Sequence, residues 1–202
     1  MESHAVTLEG ERVRLLPLRL DHAEPLFNAI DRPEVWSYLP CRMEGLEDMT
    51  THVREALDGR ERGTDLPFAV LDKASNQLVG MTRVLGISTE DRSAEIGWTW
   101  YSSKVWRTRV NTECKYLLLR YCFEALHTIR VQFRADLRNT RSNEAILRIG
   151  AKQEGIFRKN KILYNGHIRD SVFYSILEEE WPEVQQRLQQ LLTSRHGAGP
   201  IG

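Results

Sequence analysis

Apolar and polar residues alternate along several short stretches of the chain, and this spacing predicts β-strands. Residues 12–17 alternate apolar and charged side chains in this way. Residues 68–71 and 78–87 flank the turn-forming cluster Ala74-Ser75-Asn76, and a third run covers residues 94–101. These last three runs predict an antiparallel meander.

A repeat of about 3.6 residues in other stretches predicts helices. Asp21 can cap a helix over residues 22–31 that Pro33 ends, and one face of residues 46–57 is apolar. Residues 113–126 are apolar nearly all round, which predicts a helix packed against a sheet. The remaining predicted elements are a strand over 131–135, a helix over 140–149 capped by Asn139 and ended by Gly150, strands over 153–163 and 168–177 around the turn Asn165-Gly166, and a helix opened by Pro182.

The order of these elements predicts the fold class. Antiparallel strands come first, and a strand, helix, strand, helix passage follows, so the sheet is mixed and contains one crossover. We therefore expect an α+β protein with a single domain over residues 1–194 and a flexible C-terminal tail over residues 195–202.

Composition and charge narrow the classes of function. The chain has 202 residues, and its 28 Lys and Arg balance its 28 Asp and Glu, so the whole molecule carries no strong field toward nucleic acid or anionic membrane. Residues 1–10 lack the pattern of a signal peptide, and no apolar run reaches the roughly 18 residues that a membrane span needs. We expect a cytoplasmic protein with no membrane partner.

Cysteines and histidines show no pattern typical of a metal site or a nucleophile. Cys41, Cys114 and Cys122 are odd in number and are interpreted as free thiols. The histidines have no metal-ligand spacing, so we predict no metal; they are His4, His22, His52, His127, His167 and His196.

The strongest chemical signal lies between the strand over 94–101 and the apolar helix that follows it. A polar loop joins them, and Asn111-Thr112-Glu113 opens the helix. Unpaired N–H groups at a helix N-terminus suit a phosphate or pyrophosphate. The alternative is that Asn111 and Thr112 only cap a core helix.

Three segments resemble the GCN5-related N-acetyltransferases (GNAT): Ala94-Glu95-Ile96-Gly97-Trp98, residues 106–119, and Asn139-x-x-Ser142 through Ile149-Gly150-Ala151. Within that superfamily, residues 111–120 are most similar to the ribosomal-protein-alanine acetyltransferase (RimJ/RimL-like) branch. The similarity extends over residues 6–192. It implies a single GNAT-like domain whose twisted, mostly antiparallel mixed sheet is flanked by helices and opens a V-shaped cofactor cleft.

The resemblance also implies where acetyl-coenzyme A (acetyl-CoA) binds. In the family it lies between two splayed parallel strands, here the predicted strands over 94–101 and 131–135, with its pyrophosphate on the loop over 107–112. The cofactor-binding residues expected from it are Trp98, Thr99, Arg107, Thr108, Arg109, Val110, Asn111, Thr112 and Asn139.

The loop departs from the family signature, which is Gln or Arg, two residues, Gly, one residue, then Gly or Ala. Trp106 stands at its first position, Arg109 at the first glycine and Asn111 at the last position. Glycine permits positive φ and close approach to phosphate, which arginine hinders. Arg107 and Arg109 either obstruct the site or supply side-chain charge in place of amides, and we favour the second interpretation.

Two residues are candidates for proton transfer. Glu95 resembles the glutamate that serves as base in several family members; alternatively, it is an edge-strand carboxylate in solvent or paired with arginine. Many members protonate the leaving thiolate with a tyrosine, but Ile146 occupies that position here, and Ser142 resembles the serine used in the RimJ/RimL-like branch. Alternatively, Asn139 is simply the N-cap and Ser142 a polar residue of the first turn.

We expect an acetyl-CoA-dependent N-acetyltransferase acting on a primary amine, a protein or peptide N-terminus rather than a small metabolite, by direct transfer in a ternary complex. The alternative from another class is a non-catalytic acyl-CoA-binding or regulatory domain. A weaker alternative is nucleic-acid binding through the basic middle of the chain, residues 104–161. Whether the chain forms a homodimer stays open.

Overall fold

The computed structural model describes residues 6–194, which form one eight-stranded sheet with helices on both faces. The strands are β1 (Leu8–Glu9), β2 (Val13–Pro17), β3 (Leu66–Asp72), β4 (Gln77–Ser88), β5 (Ser93–Tyr101), β6 (Arg130–Asp136), β7 (Lys152–Ile162) and β8 (Ile168–Leu177). The α-helices are α1 (Ala23–Asn28), α2 (Leu46–Glu61), α3 (Val110–Arg120), α4 (Thr140–Arg148) and α5 (Trp181–Thr193). The predicted flexible tail, residues 195–202, lies outside the described residues.

The sheet order is β1-β2-β3-β4-β5-β6-β8-β7, and β5 and β6 form its parallel pair. Helix α3 makes the crossover between these two strands. The predicted α+β class and mixed sheet are therefore confirmed. The meander β3-β4-β5 and the final hairpin β7-β8 are confirmed as well, with left-handed turn residues at Asn76 (φ 54°) and Gly166 (φ 78°).

Two apolar cores lie on opposite faces of the sheet. The larger packs α3 and α5 against one face, with Val70, Ile96 and Leu118 among its buried residues. The smaller packs α1 and α2 against the other face around Met49 and Met81. Because both faces are covered, the middle strands are buried on both sides. None of the helices in residues 6–194 combines the length and the apolar character that a membrane span requires.

The predicted helix over 22–31 is wrong in its start and its length. A 3-10 turn over Leu20–His22 precedes α1, and Asp21 pairs with Arg19 instead of capping the helix. The predicted last residue, Asp31, accepts a hydrogen bond of 2.8 Å from the backbone N–H of Ser103. A local pair with Arg19 occupies Asp21, and a tertiary contact with Ser103 occupies Asp31, so neither carboxylate follows its local helix signal.

Helix α3 begins three residues before the predicted start and ends earlier, at Arg120, where a π-helical turn over Tyr121–Ala125 continues it. Glu113 on its first turn is buried, and its carboxylate accepts hydrogen bonds from the backbone N–H groups of Glu11 (2.7 Å), Arg12 (3.0 Å) and Val13 (2.7 Å). This carboxylate fixes the connection between β1 and β2 to the start of α3.

Candidate active site

A cleft of about 820 Å³ opens where β5 and β6 separate. The two strands pair only over residues 93–95 and 130–132. Beyond that point their continuations line opposite walls, from Ile96 to Tyr101 and from Phe133 to Asp136. The first turn of α3, helix α4 and residues 34–39 also line the cleft. Residues 34–39 lie close to the start of α4, because the Tyr38 ring centre is 5.7 Å from the guanidinium carbon of Arg138.

A β-bulge in β5 shapes one wall of the cleft. Arg83 pairs with Gly97 and Met81 with Trp100, so β5 carries one extra residue there, and Trp98 adopts a left-handed φ of 50°. Bulges redirect side chains and end regular pairing. The extra residue directs Trp98 toward α2 and turns the Thr99 hydroxyl toward α3. The same hydroxyl is 2.8 Å from that of Thr82 on β4.

The face of the sheet under α2 carries a cluster of aromatic and basic side chains. The guanidinium carbon of Arg83 lies 4.9 Å from the ring centre of Trp98, and Arg83 Nη2 is 2.9 Å from His52 Nε2. Burial and the Arg83 charge lower the pKa of His52 to about 3, so the imidazole is neutral. Trp36 and Trp100 contact each other at 5.3 Å between ring centres. Trp98 and Trp100 therefore line the cleft and also pack against the other side chains of this cluster.

The first turn of α3 faces the cleft through Asn111, but the side chains predicted as caps of this helix do not cap it. Arg109 is the N-cap residue and makes no side-chain cap hydrogen bond. Thr108 Oγ1 accepts the Val110 N–H at 3.3 Å. Asn111 and Thr112 lie inside the helix, so the capping alternative is wrong for both. Their N–H groups have no partner inside the helix, because the first amides of a helix lack an acceptor one turn earlier.

Arg107 and Arg109 occupy the loop before α3 in opposite ways. Arg109 has a right-handed helical backbone conformation (φ −70°). Its Nη1 donates a hydrogen bond of 2.7 Å to the carbonyl oxygen of Leu192, and its Nη2 lies 3.7 Å from the carboxylate of Glu11. The guanidinium expected at the phosphates thus points toward α5, because that carbonyl ends the helix. Arg107 lines the cleft and takes the left-handed φ of 59°. The backbone conformation that favours glycine therefore occurs at Arg107. The family signature places its glycine two residues later, at Arg109.

Three arginines form a cationic rim of the cleft beside the first turn of α3: Arg107, Arg141 and Arg148. Arg141 lies over the Trp106 ring at 3.9 Å, and Arg148 Nη2 donates 3.1 Å to Thr112 Oγ1. Within residues 6–194, none of the three has a carboxylate within 4.0 Å. Their charge is available to an anionic ligand at the helix terminus.

Glu95 lies on β5, a central strand of the sheet, so the alternative that placed it on an edge strand is wrong. That alternative also expected an arginine partner, and Glu95 does have one. Arg134 Nη2 donates 3.0 Å to Oε1, and Gln132 Nε2 donates 2.8 Å to Oε2. The Glu95 side chain is 11% exposed and does not line the cleft, whereas Arg134 does. The carboxylate reaches the cleft only through its partner.

Asn139 and Ser142 both line the cleft at the start of α4, and Ile146 lines it one turn later. Asn139 Oδ1 accepts a hydrogen bond of 3.1 Å from the Ser142 N–H. Asn139 is therefore the N-cap of α4, as the structural interpretation of this residue expects. The Asn139 amide nitrogen and the Ser142 hydroxyl remain for other partners. Capping does not exclude a second role for either residue.

The part of the cleft beside residues 34–39 combines arginines and carboxylates. Arg169 is buried and has no carboxylate within 4.0 Å in the described residues; its donors reach Ser171 Oγ (3.0 Å) and the carbonyl of Tyr38 (3.3 Å). Burial opposes ionisation of Asp136, but its hydrogen bonds with Arg138 lower its pKa on balance. Both buried carboxylates beside this part of the cleft, Asp136 and Glu95, are thus held by arginine.

Lys115 is the functional candidate that the sequence pattern did not single out. It lines the cleft one turn after Asn111, is 7% exposed, and donates 2.9 Å from Nζ to Thr99 Oγ1. Burial lowers its pKa to about 8. The available signal is a lysine next to Cys114 and Tyr116 in the mostly apolar stretch of α3.

No cluster of three or more metal-ligating side chains occurs within residues 6–194. All three cysteines are free.

The acetyltransferase (GNAT) domain family model matches residues 12–152, and the chain belongs to this family. A GCN5-related N-acetyltransferase from Brucella melitensis is similar in structure, with a TM-score of 0.89, 28% identity, and coverage of 98% of this chain and 90% of that one. The fold and class expected from the sequence, a GNAT-like N-acetyltransferase, are confirmed.

Two further relatives bear on the branch. YdaF of Bacillus subtilis (strain 168), provisionally described as a ribosomal N-acetyltransferase, is 34% identical over 104 residues, which is 52% of this chain and 56% of YdaF. Mycobacterium smegmatis RimJ in complex with CoA-disulfide shares the fold, with a TM-score of 0.81 at 22% identity over 94% of this chain and 96% of RimJ. The similarity to YdaF is consistent with the RimJ/RimL-like branch, and the similarity to RimJ shows the shared fold.

Proposed function

We propose that this chain transfers the acetyl group of acetyl-CoA to a primary amine, and that the amine is the N-terminus of a protein or peptide. The observation that carries the proposal is the continuous cleft between β5 and β6, which is lined both by the first turn of α3, where we place the cofactor, and by residues 34–39, where we place the acceptor amine. Two reactants bound in this cleft would meet between the separated strands. Holding them in that geometry is itself a large part of catalysis.

The residues beside the first turn of α3 fit a pyrophosphate. The free amides of Asn111 and Thr112 and the unpaired guanidinium groups of Arg107, Arg141 and Arg148 offer both backbone donors and charge. When bound, acetyl-CoA supplies an acetyl group activated as a thioester. Of the other expected residues, Trp98, Thr99, Thr108 and Asn139 would hold it from the walls, and Arg109 would contribute its backbone rather than its guanidinium. The expected residue Val110 is fully buried in the core, does not line the cleft and donates its N–H to Thr108.

The paired state of the buried carboxylates favours an α-amine as acceptor. An α-amine has a pKa of about 8, so about a tenth of it is neutral at pH 7, whereas a lysine side chain at about 10.4 is almost entirely charged. Glu95 and Asp136 are both held by arginine, so neither is a strong free base. We propose Glu95 as a base acting through water beside Arg134, which suffices only for an amine that loses its proton readily. Glu34, exposed in the lining of the cleft, would attract the ammonium form.

Direct transfer is favoured over an acylated cysteine. Burial raises the pKa of Cys114 and of Cys122 to about 12 and that of Cys41 to about 11, so all three are protonated at neutral pH and poor nucleophiles. We propose Ser142 at the sulfur end of the reaction, where its hydroxyl faces the cleft. Free thiols are in keeping with a reducing compartment, which supports a cytoplasmic location.

The test begins with calorimetry of acetyl-CoA binding and continues with two peptides that differ in one amine. One peptide has a free N-terminus and no lysine; its partner has a blocked N-terminus and one lysine. Mass spectrometry should find acetylation of the first and much slower acetylation of the second. The reverse preference overturns the choice of acceptor, and tight binding without thiol release for any amine in a library favours the non-catalytic alternative.

A further inference from the structure

Lys115 bridges the two strands at the point where the cleft opens. Its Nζ donates to Thr99 Oγ1 on β5 at 2.9 Å and lies 5.8 Å from the ring centre of Phe133 on β6. Because Lys115 follows Asn111 by four residues, it lies directly one turn below the amides of the helix terminus. The ammonium group thus lies deeper in the cleft than the rim that fits the phosphates.

This ammonium has no counter-ion. Within residues 6–194, no carboxylate oxygen lies within 4.0 Å of Lys115 Nζ. On its own helix, Glu113 directs its carboxylate to the backbone of residues 11–13. The Cys114 thiol on α3 and the Tyr101 hydroxyl on β5 are both neutral at pH 7, because burial raises the pKa of each group.

The other charged groups on the walls do not neutralise it either. Arg134 on β6 is paired with Glu95 and carries the same sign as Lys115. Arg148 on α4 donates to Thr112. A buried, uncompensated ammonium is costly to a fold. Its position in the cleft offers a reason for keeping it, since negative charge develops on sulfur when a thioester is cleaved.

Ser142 alone cannot supply the proton that this sulfur needs. A serine hydroxyl is a far weaker acid than a thiol, so a proton passed from it to a thiolate must be replaced at once. We propose that Lys115 is a further catalytic residue of this cleft, which donates the proton to the sulfur of coenzyme A as the carbon–sulfur bond breaks. This inference rests on the acetyl transfer proposed above.

The step balances without any further reactant. The acceptor nitrogen forms the new bond to the acetyl carbon, the carbon–sulfur bond gives its electron pair to sulfur, and sulfur takes one proton from Lys115 Nζ. Lys115 keeps the electron pair of that N–H bond, becomes neutral, and regains a proton from solvent, while the amine gives up its surplus proton to water. The pKa of about 8 for Lys115 is close to that of a thiol, about 8.5, so the transfer is nearly balanced in free energy.

The experiment measures the ionisation of the thiol of bound coenzyme A, a readout that needs no turnover. Ultraviolet absorbance reports the thiolate as pH rises, with desulfo-coenzyme A as the blank. The variants are K115M, which removes the charge, and K115R, which keeps it but does not release a proton at neutral pH. K161M is the matched control, because Lys161 is exposed on β7 away from the cleft.

We expect the wild-type protein to hold the thiol's pKa at or below about 8.5, K115M to raise it by about one pH unit, and K115R and K161M to leave it low. K115M and K115R should both lower kcat about tenfold to a hundredfold, with the KM for acetyl-CoA within about threefold of wild type. K161M should retain the wild-type rate.

Equal thiol pKa values in wild type and K115M, or an unchanged kcat in K115M, overturn the role of Lys115 while leaving acetyl transfer intact. Should K115M fail to fold, the wild-type measurement still decides, since a bound thiol with a pKa above that of free coenzyme A contradicts a neighbouring cation. Failure of the wild-type protein to bind coenzyme A or to acetylate any amine is a different result. It overturns the proposed function and this inference together.

Discussion

Replacing Lys115 by methionine should make the protein more stable at neutral pH, although it removes a hydrogen bond. The pKa of the buried ammonium is about 8, below its ordinary value of 10.5, because burial disfavours the charged form. The unfolded chain therefore binds this proton more tightly than the folded one. Below about pH 8 the fold bears the full cost of the charge, and the cost disappears as pH rises to about 10.5.

The size of the effect follows from the two pKa values. They differ by about 2.5, and each pH unit corresponds to 1.36 kcal/mol, which gives roughly 3 kcal/mol at pH 7. Loss of the hydrogen bond to Thr99 costs about 1 kcal/mol, and burial of the methionine side chain offsets a similar amount. The net gain for K115M at pH 7 is therefore about 3 kcal/mol, a large part of the 5–15 kcal/mol that is typical of whole domains.

Urea unfolding of wild type and K115M between about pH 6.5 and pH 10.5 measures this difference directly. Other titrating groups, including Tyr101 and the cysteines, are present in both proteins and cancel in the comparison. The gain should be constant below about pH 7 and shrink toward zero at the alkaline end. A variant that is less stable than wild type at pH 7, or a difference that does not change with pH, would refute the reasoning.

Four further outcomes are expected. E95Q should lower kcat below about pH 7.5 and much less at high pH, where the amine deprotonates unaided, and an unchanged pH profile removes Glu95 as base. S142A should lower kcat about tenfold while the affinity for acetyl-CoA stays nearly intact; an equal loss of folding stability instead favours a purely structural role. E113A leaves three backbone N–H groups without their acceptor and should lower the free energy of unfolding in urea by about 3–5 kcal/mol. The control E61A removes an exposed carboxylate and should cost less than about 0.5 kcal/mol. A similar small loss in both variants contradicts the role of Glu113 in holding residues 11–13. R109G should cost about 1–2 kcal/mol of stability and leave the Kd for acetyl-CoA within about threefold; a tenfold weaker Kd would show that the guanidinium turns to the phosphates.

All strands except β1, together with the meander and the final hairpin, could be predicted from the sequence because their signals are local and agree with one another. Alternation over residues 78–87 and turn residues such as Asn76 and Gly166 specify the meander and the hairpin without reference to distant contacts. The crossover between β5 and β6 follows from the apolar helix between them. Local pattern and tertiary structure coincide in these parts of the chain.

The site could be predicted as a place but not as a set of contacts. Spacing located the loop before α3, yet Arg109 faces α5 because a carbonyl 83 residues away accepts its hydrogen bond. Glu113 and Lys115 stand two residues apart, and one holds a distant backbone while the other faces the cleft. Such partners depend on helix packing, which no local period encodes. Glu95 was placed on the right strand, but its arginine partner comes from β6.

The bond from Arg109 to the Leu192 carbonyl couples the end of α5 to the loop before α3, where we place the phosphates of the coenzyme. One guanidinium cannot hold that carbonyl and swing toward a phosphate at the same time, so the two partners compete. By reciprocity, coenzyme binding that captured Arg109 would fray the end of α5, and fraying α5 would strengthen coenzyme binding by the same factor. With the guanidinium held by the carbonyl, a purification tag fused after α5 should give the same coenzyme affinity as a tag fused before β1. A difference between the two fusions would reveal the competition without any mutation.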